Sequence, residues 1–314
     1  MKHETENKIH DLIIIGAGPA GLAASIYASR YGIKHLIIGA ILGGQISETH
    51  KIDNYPGMED MSGFDFSQKW GNHAKKYGVE ILPDIVEEIK KENNIFSIIL
   101  ANKKTLQART ILLATGTKKR KLNIIGEKEF IGKGVSYCAT CDGFFYKNKI
   151  VGVIGGSDSA ATATLYLADL AQKVYLIYRK TELRAEPFWV NLILKNPKIE
   201  VLYETNVVEI LGQQKLEKVK LDREHKNSKE LNLDGLFIEA GSDPATEYFS
   251  ELGIKLDESG YIKIQKNGAT NVAGVFSAGD ITDGSDKFRQ VITAASEGAI
   301  SARAIHDFLK KNKG

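Results

Sequence analysis

One local plan appears twice along these 314 residues, and it constrains the fold more than any other feature. Leu12-Ile13-Ile14-Ile15 is a continuous apolar run of the kind shown by a strand buried on both faces. It leads straight into Gly16-Ala17-Gly18-Pro19-Ala20-Gly21. A helix-compatible stretch from Leu22 to Arg30, then Gly32 and a second apolar strand at His35 to Ile38, complete the unit. Each glycine answers a separate demand. Gly16 permits a tight turn, Gly18 lets backbone amides approach a pyrophosphate, and Gly21 lets helix and strand pack closely. A bare GxGxxG says little, but its place between strand and helix makes it a dinucleotide-binding signature.

The second copy runs from Lys149 through Ile154 into Gly155-Gly156-Ser157-Asp158-Ser159-Ala160, a helix-compatible Thr162 to Leu170, and a strand at Val174 to Ile177. Gly155 matches Gly16, Ser157 stands where Gly18 stood, and Ala160 replaces Gly21. The expected fold is α/β, with two Rossmann-like dinucleotide-binding domains. Either both sites work or, because Ser157 crowds the phosphate approach, one is a relic. The second strands end differently. Gly39-Ala40 offers no carboxylate to a ribose, whereas Tyr178-Arg179-Lys180, with Arg184 a turn further on, offers cations that suit the 2′-phosphate of NADP. The alternative is that these are surface charges after a strand, and Glu182 in their midst weakens the case for a phosphate.

Hydrophobic residues make up 43% and the formal net charge is only +3, which gives no argument for nucleic acid or another polyanion as partner. The basic run Lys118-Lys119-Arg120-Lys121 is expected to be a solvated linker. The N-terminal MKHETENKIH is polar ahead of a short apolar run, unlike a signal peptide or a spanning helix, so a cytoplasmic protein without membrane attachment is expected.

Between the two folds stands YCATCDGFF, Tyr137 to Phe145, which holds both cysteines. With LIYRKTELRAE after the second fold, it resembles the low-molecular-weight thioredoxin reductases, FAD-dependent pyridine nucleotide disulfide oxidoreductases. The resemblance covers essentially the whole chain, through Gly43-Gly44-Gln45, Asn54-Tyr55-Pro56-Gly57, Ala114-Thr115-Gly116, Gly274 to Asp280, and Arg289-Gln290-Val291. It implies that the first fold binds FAD. The C-terminal stretch would complete that site, with Gly279 and Asp280 at the ribityl and phosphate region and Gln290 and Val291 near the ring system. Asp280 is expected at a strand-to-helix turn, where a carboxylate accepts hydroxyl hydrogen bonds.

The second domain is expected to be inserted in the first, giving an FAD-binding domain of 1–118 and 245–314 and an NAD(P)H-binding domain of 119–244 that carries the CxxC. Its two crossings are hinge candidates. The family is homodimeric and rotates its small domain so that nicotinamide and cysteines face the flavin in turn.

For the cysteines, a structural zinc site needs about four ligands, and no second CxxC exists. The histidines at 3, 10, 35, 50, 73, 225 and 306 form no ligand cluster, so no metal is expected. A disulfide across two residues closes too small a loop to stabilise much. Thiol–disulfide exchange remains. The resemblance implies a Cys138–Cys141 disulfide, with Cys141 toward the flavin, Cys138 toward a protein substrate, and Asp142 as the acid and base. Electrons would pass from NADPH through FAD and this disulfide to a thioredoxin-like protein. Where this family usually has a third glycine and His-Arg-Arg, this chain has Ser157 and Tyr178-Arg179-Lys180. NADH, a ferredoxin or another donor therefore stays open, as does a redox-sensing flavin-binding protein without turnover.

Overall fold

The computed structural model describes residues 9–312; the polar N-terminal stretch before them lies outside the described residues. The chain divides into two compact units, Met1–Lys118 with Asp243–Gly314, and Lys119–Ser242. Each is an α/β unit built on a parallel sheet.

In the first unit, strand Ile9–Ile15 pairs in parallel with His35–Ile38 on one side and Thr105–Leu113 on the other. Leu12 and Ile14 enter one buried cluster while Ile13 and Ile15 enter another on the opposite face. Alternate side chains of a strand point to opposite faces, so burial of both faces demands the unbroken apolar run seen in the sequence. Helices Pro19–Arg30 and Val291–Lys311 share one of these clusters and pack so closely that a Cβ on Gly298 would lie 2.1 Å from the Ala20 carbonyl oxygen. The last strand, Val275–Ser277, adds in parallel to Thr105–Leu113 and so carries a distant piece of chain to the ends of the first strands. Ile95–Leu100 pairs antiparallel with the first half of Thr105–Leu113, at residues 105–108, and Val86–Glu92 pairs antiparallel with Ile95–Leu100 in turn.

The second unit repeats the theme. Ile150–Ile154 lies between parallel strands Lys173–Ile177 and Gly235–Ile238, within a five-stranded sheet. A three-stranded antiparallel sheet, Val207–Gly212, Leu216–His225 and Ser228–Asn232, shares a second core cluster with it.

Both glycine-turn helices begin earlier than the apolar pattern suggests, at Pro19 and Asp158. The first turn of a helix has no intrahelical acceptors for its N–H groups, so Pro19 starts the first helix without loss. The basic run also departs from a solvated linker, because Lys119 Nζ pairs with the buried Glu239 carboxylate at 2.6 Å. Asp280 does not stand at a strand-to-helix turn: the next long helix begins only at Val291. Between them Ser285, Asp286 and Lys287 all take positive φ, and the Gly284 amide donates to Thr282 Oγ1, which holds the segment as a turn. Among the described residues no helix is long and apolar enough to cross a membrane.

Candidate active site

The first glycine turn is built by close backbone approach. Gly16 has φ +116°, and a Cβ there would meet the Ala114 carbonyl oxygen at 2.1 Å; at Gly21 it would meet the Gly16 oxygen at 1.9 Å. Gly18 differs, because its nearest such neighbour is the Gly43 oxygen at 3.8 Å, so the space over it is open. Gly18 is also the N-cap of helix Pro19–Arg30 and supplies no side-chain acceptor. Open space and free N–H groups at a helix N-terminus make a cradle for an anionic phosphate. Gly43 and Gly44 line the same cradle: the Gly43 amide donates to Ala17 O at 2.8 Å, and a Cβ on Gly44 would lie 3.5 Å from Gly18 Cα.

The C-terminal segment reaches this place. A Cβ on Gly279 would touch Ala20 Cβ at 2.9 Å, which sets the Gly279–Asp280 turn beside the N-terminus of the Pro19–Arg30 helix. Asp280 is partly buried and makes no hydrogen bond among the described residues. Burial, assisted by the charge of Glu297, pushes its carboxyl up to about 6, while Arg289 pulls the other way. A desolvated carboxylate with free lone pairs fits a ligand rich in hydroxyls. Arg289 leans over the Tyr261 ring at 4.2 Å, and its buried Nε has no hydrogen-bond partner.

Glu297 escaped the sequence reasoning. Its carboxylate accepts from the Gly279 amide at 2.8 Å, Thr282 Oγ1 at 3.0 Å and Ser285 Oγ at 2.6 Å, and so ties the whole turn to the last helix. In the sequence it looks like any acid on an amphipathic helix.

Other residues expected at this site are occupied with one another. Asn54 Nδ2 donates to Gln290 Oε1 at 3.0 Å, joining segments far apart in the chain. Gln290 also caps the last helix in a reciprocal box with Thr293, directly before Val291. Gln45 Nε2 donates to the carbonyl and the hydroxyl of Thr117, the latter at 2.9 Å. Thr115 Oγ1 donates to Ala245 O at 3.1 Å, and Gly116 takes φ +64° with open space around it.

In the second unit, Cys138 and Cys141 form a disulfide with Cα atoms 5.3 Å apart. The Ser136 hydroxyl grips Cys138, accepting from its amide at 3.0 Å and donating to its carbonyl at 3.3 Å. The Cys141 amide donates to Cys138 Sγ at 3.1 Å, an interaction that favours a thiolate on Cys138 once the pair is reduced. Asp142 follows, half-buried. Beside the pair, Phe144 and Phe145 are 68% and 70% exposed, an unusual position for two adjacent phenylalanines that sequence reasoning passed over. Their exposure is legible only in three dimensions, since the same residues suit a core. Among the described residues there is no group of three or more metal-ligating side chains.

The second glycine turn has Gly155 at φ +151°, packed against the Glu239 carbonyl oxygen, where a Cβ would come within 2.3 Å. Ser157 takes φ −101°, which any residue adopts, and its hydroxyl lies 3.3 Å from Ser159 Oγ. Asp158 in the first helical turn accepts from the Glu186 amide at 2.7 Å. The Arg184 amide donates to Gly156 O at 2.7 Å, and Arg184 Nε to the Tyr178 hydroxyl at 3.1 Å. The Arg179 and Lys180 side chains are exposed and make no hydrogen bond or ion pair among the described residues, while the Lys180 carbonyl accepts from the Glu204 amide at 3.0 Å.

Two glycine turns at parallel-sheet ends and an accessible disulfide define a disulfide oxidoreductase built on nucleotide-binding folds. A family model described as pyridine nucleotide-disulphide oxidoreductase matches residues 10–298, and the chain belongs to that family. Over 312 residues it is 39% identical to a thioredoxin reductase of Listeria innocua, covering 98% of this chain and 97% of that one. A solved thioredoxin reductase of Lactococcus lactis superposes with a TM-score of 0.91 at 36% identity, covering 96% of this chain and 99% of the other. The thioredoxin reductase of T. acidophilum gives 0.90 at 34% identity, over 96% of this chain and 99% of that one.

Proposed function

We propose that this chain is an FAD-dependent thioredoxin-disulfide reductase that draws electrons from NADPH and delivers them through the Cys138–Cys141 pair. The observation that carries it is the disulfide itself: two cysteines of a nucleotide-binding unit, bonded to each other and flanked by exposed phenylalanines. Residues 1–118 and 245–314 hold FAD and residues 119–244 hold NADPH. When bound, FAD supplies the two-electron relay that neither a thiol nor a nicotinamide alone provides.

The chain's own residues do the rest. Gly16, Gly18, Pro19, Ala20 and Gly21, with Gly43 and Gly44, cradle the cofactor pyrophosphate on free helix N–H groups. Asp280 accepts from its hydroxyls, and Glu297 keeps that carboxylate in place through the Gly279 amide. Asn54, Gln290 and Val291 border the ring system, with Gln45, Thr115, Gly116 and Arg289 around it. Gly155, Gly156, Ser157, Asp158 and Ser159 receive the nicotinamide nucleotide, and Arg179, Lys180 and Arg184 its 2′-phosphate.

Reduced Cys138, whose thiolate the Cys141 N–H favours, attacks one sulfur of the partner disulfide and expels the other as a thiolate. Cys141 then attacks Cys138 Sγ, which closes the Cys138–Cys141 bond and frees the partner as a dithiol. Asp142 gives a proton to the departing thiolate and regains it on the next cycle. Phe144 and Phe145 supply the apolar surface on which a small disulfide protein docks. A homodimer in the cytoplasm completes the proposal.

Stopped-flow mixing of the FAD-replete protein with NADPH, NADH or reduced ferredoxin, followed by turnover with thioredoxin disulfide, tests it. Flavin bleaching by NADPH and steady thioredoxin reduction are expected. Bleaching by ferredoxin alone, or bleaching without turnover, overturns it.

A further inference from the structure

The four residues Gly156, Tyr178, Arg184 and Asp158 form a closed arrangement around the second glycine turn. The Tyr178 ring is buried and lies so tightly on Gly156 that a Cβ there would come within 2.4 Å of ring atoms Cε2 and Cζ. Gly156 is therefore required by the tyrosine, whatever binds nearby. The Tyr178 hydroxyl then accepts from Arg184 Nε at 3.1 Å, while the Arg184 amide reaches back to Gly156 O at 2.7 Å. The Glu186 amide bonds Asp158 Oδ1 at 2.7 Å, so the loop after the second strand is pinned to the first turn of the helix at its far end too.

Arg184 is exposed, yet it is fixed at both its main chain and its Nε. A guanidinium is a planar fork, so pinning Nε fixes the plane in which the two terminal nitrogens present their N–H groups. Those terminal groups make no hydrogen bond among the described residues, and the side chains of Arg179 and Lys180 are equally uncommitted. The phenol has one lone pair engaged by Nε–H and donates its own hydrogen to nothing among the described residues. The loop thus presents cationic donors, the guanidinium groups of Arg179 and Arg184 and the ammonium of Lys180. A phosphate dianion is all acceptor and matches that set. A ribose 2′-hydroxyl, which an NAD site holds with a carboxylate at the end of the second strand, finds Tyr178-Arg179-Lys180 at that place instead. Glu182 is exposed and stands between Lys180 and Arg184 in the chain without bonding to either.

We propose that Tyr178 is the positioning residue for 2′-phosphate recognition: it holds Arg184 in the orientation that makes this nucleotide fold prefer a 2′-phosphorylated nucleotide. The inference rests on the NADPH assignment above and adds to it the residue through which the preference acts.

The test is calorimetric titration of the full chain with adenosine 2′,5′-bisphosphate and with 5′-AMP, which contain the adenosine half of NADPH and NADH and require no flavin chemistry. Tyr178→Phe keeps the ring on Gly156 and removes only the hydroxyl. It is expected to weaken the bisphosphate about tenfold, the scale of one charge-assisted hydrogen bond, and to leave 5′-AMP unchanged. In steady state the KM for NADPH rises by the same factor while kcat and the NADH parameters stay put. In an Arg184→Ala background, Tyr178→Phe should have no further effect on the bisphosphate, because the hydroxyl acts through the arginine.

Equal weakening of both nucleotides, an unchanged bisphosphate affinity, or additive losses in the double variant overturns the role of Tyr178. Should Tyr178→Phe fail to fold, Arg184→Lys serves, since it keeps the charge and loses the pinned fork. It is expected to abolish most of the preference, and full retention of preference refutes the proposal. Wild-type protein that binds the bisphosphate no better than 5′-AMP removes the cation site itself and Tyr178 with it. Wild-type protein that discriminates between them but whose flavin NADPH does not reduce refutes the electron path alone.

Discussion

The Glu297 carboxylate accepts a hydrogen bond from the Gly279 amide at 2.8 Å, and through it the last helix holds Asp280 against the cradle of the first glycine turn. Two hydroxyls, of Thr282 and Ser285, also converge on this carboxylate. Glu297→Ala leaves the buried Gly279 amide without its acceptor, a cost of about 1–3 kcal/mol, whereas the Thr282 hydroxyl keeps the Gly279 carbonyl at 3.0 Å. A lower melting temperature of the apoprotein and an FAD dissociation constant raised by about tenfold or more are expected, by scanning fluorimetry and flavin-fluorescence titration. Glu297→Gln retains an acceptor oxygen and should lose much less.

Asp280 provides a pH test with a definite sign. Its folded-state carboxyl is raised to about 6 from an unfolded value near 3.8. Between these values the folded apoprotein binds more protons than the unfolded chain, so this group's contribution to stability falls as pH rises and its cost is fully present above about 6. Asp280→Asn should therefore melt higher than wild type at neutral pH, with the difference vanishing below about pH 4. The same variant should bind FAD poorly, because the amide offers one acceptor oxygen and no charge. Wild-type FAD affinity should fall as pH drops through about 6. Melting curves and FAD titrations across pH 3.5–8 check all three.

Phe144 and Phe145 are exposed and contribute little to the core, so replacing both with alanine should leave the melting temperature within about 1 °C. Loss of their apolar area should raise the KM for thioredoxin disulfide about tenfold and leave NADPH-driven reduction of a small electron acceptor unchanged. Paired assays with the two acceptors separate docking from electron entry.

Cys141→Ser should leave FAD bound and reducible by NADPH while ending thioredoxin reduction. Because Cys138 keeps its thiol but loses its resolving partner, the variant should accumulate a mixed disulfide with thioredoxin, visible on a non-reducing gel. Retained turnover would remove the assigned exchange.

Much of this molecule is written locally in the chain. A strand, a glycine turn and a helix follow from nearest-neighbour sterics and apolar runs, so Ile9–Ile15, Pro19–Arg30 and their second copy were legible to within a few residues. A redox role for the lone CxxC was legible too, and the Cys138–Cys141 bond that the family resemblance implied is present in the structure.

Contacts between distant residues were not. Asn54 meets Gln290, Glu297 meets Gly279, and the Tyr178 ring settles on Gly156 only because parallel strands bring their ends to one edge. A glutamate on an amphipathic helix or a tyrosine after a strand has the same local signature whether it faces solvent or closes a site. Burial and hydrogen-bond geometry, which exist only after the sheet has assembled, decide between them.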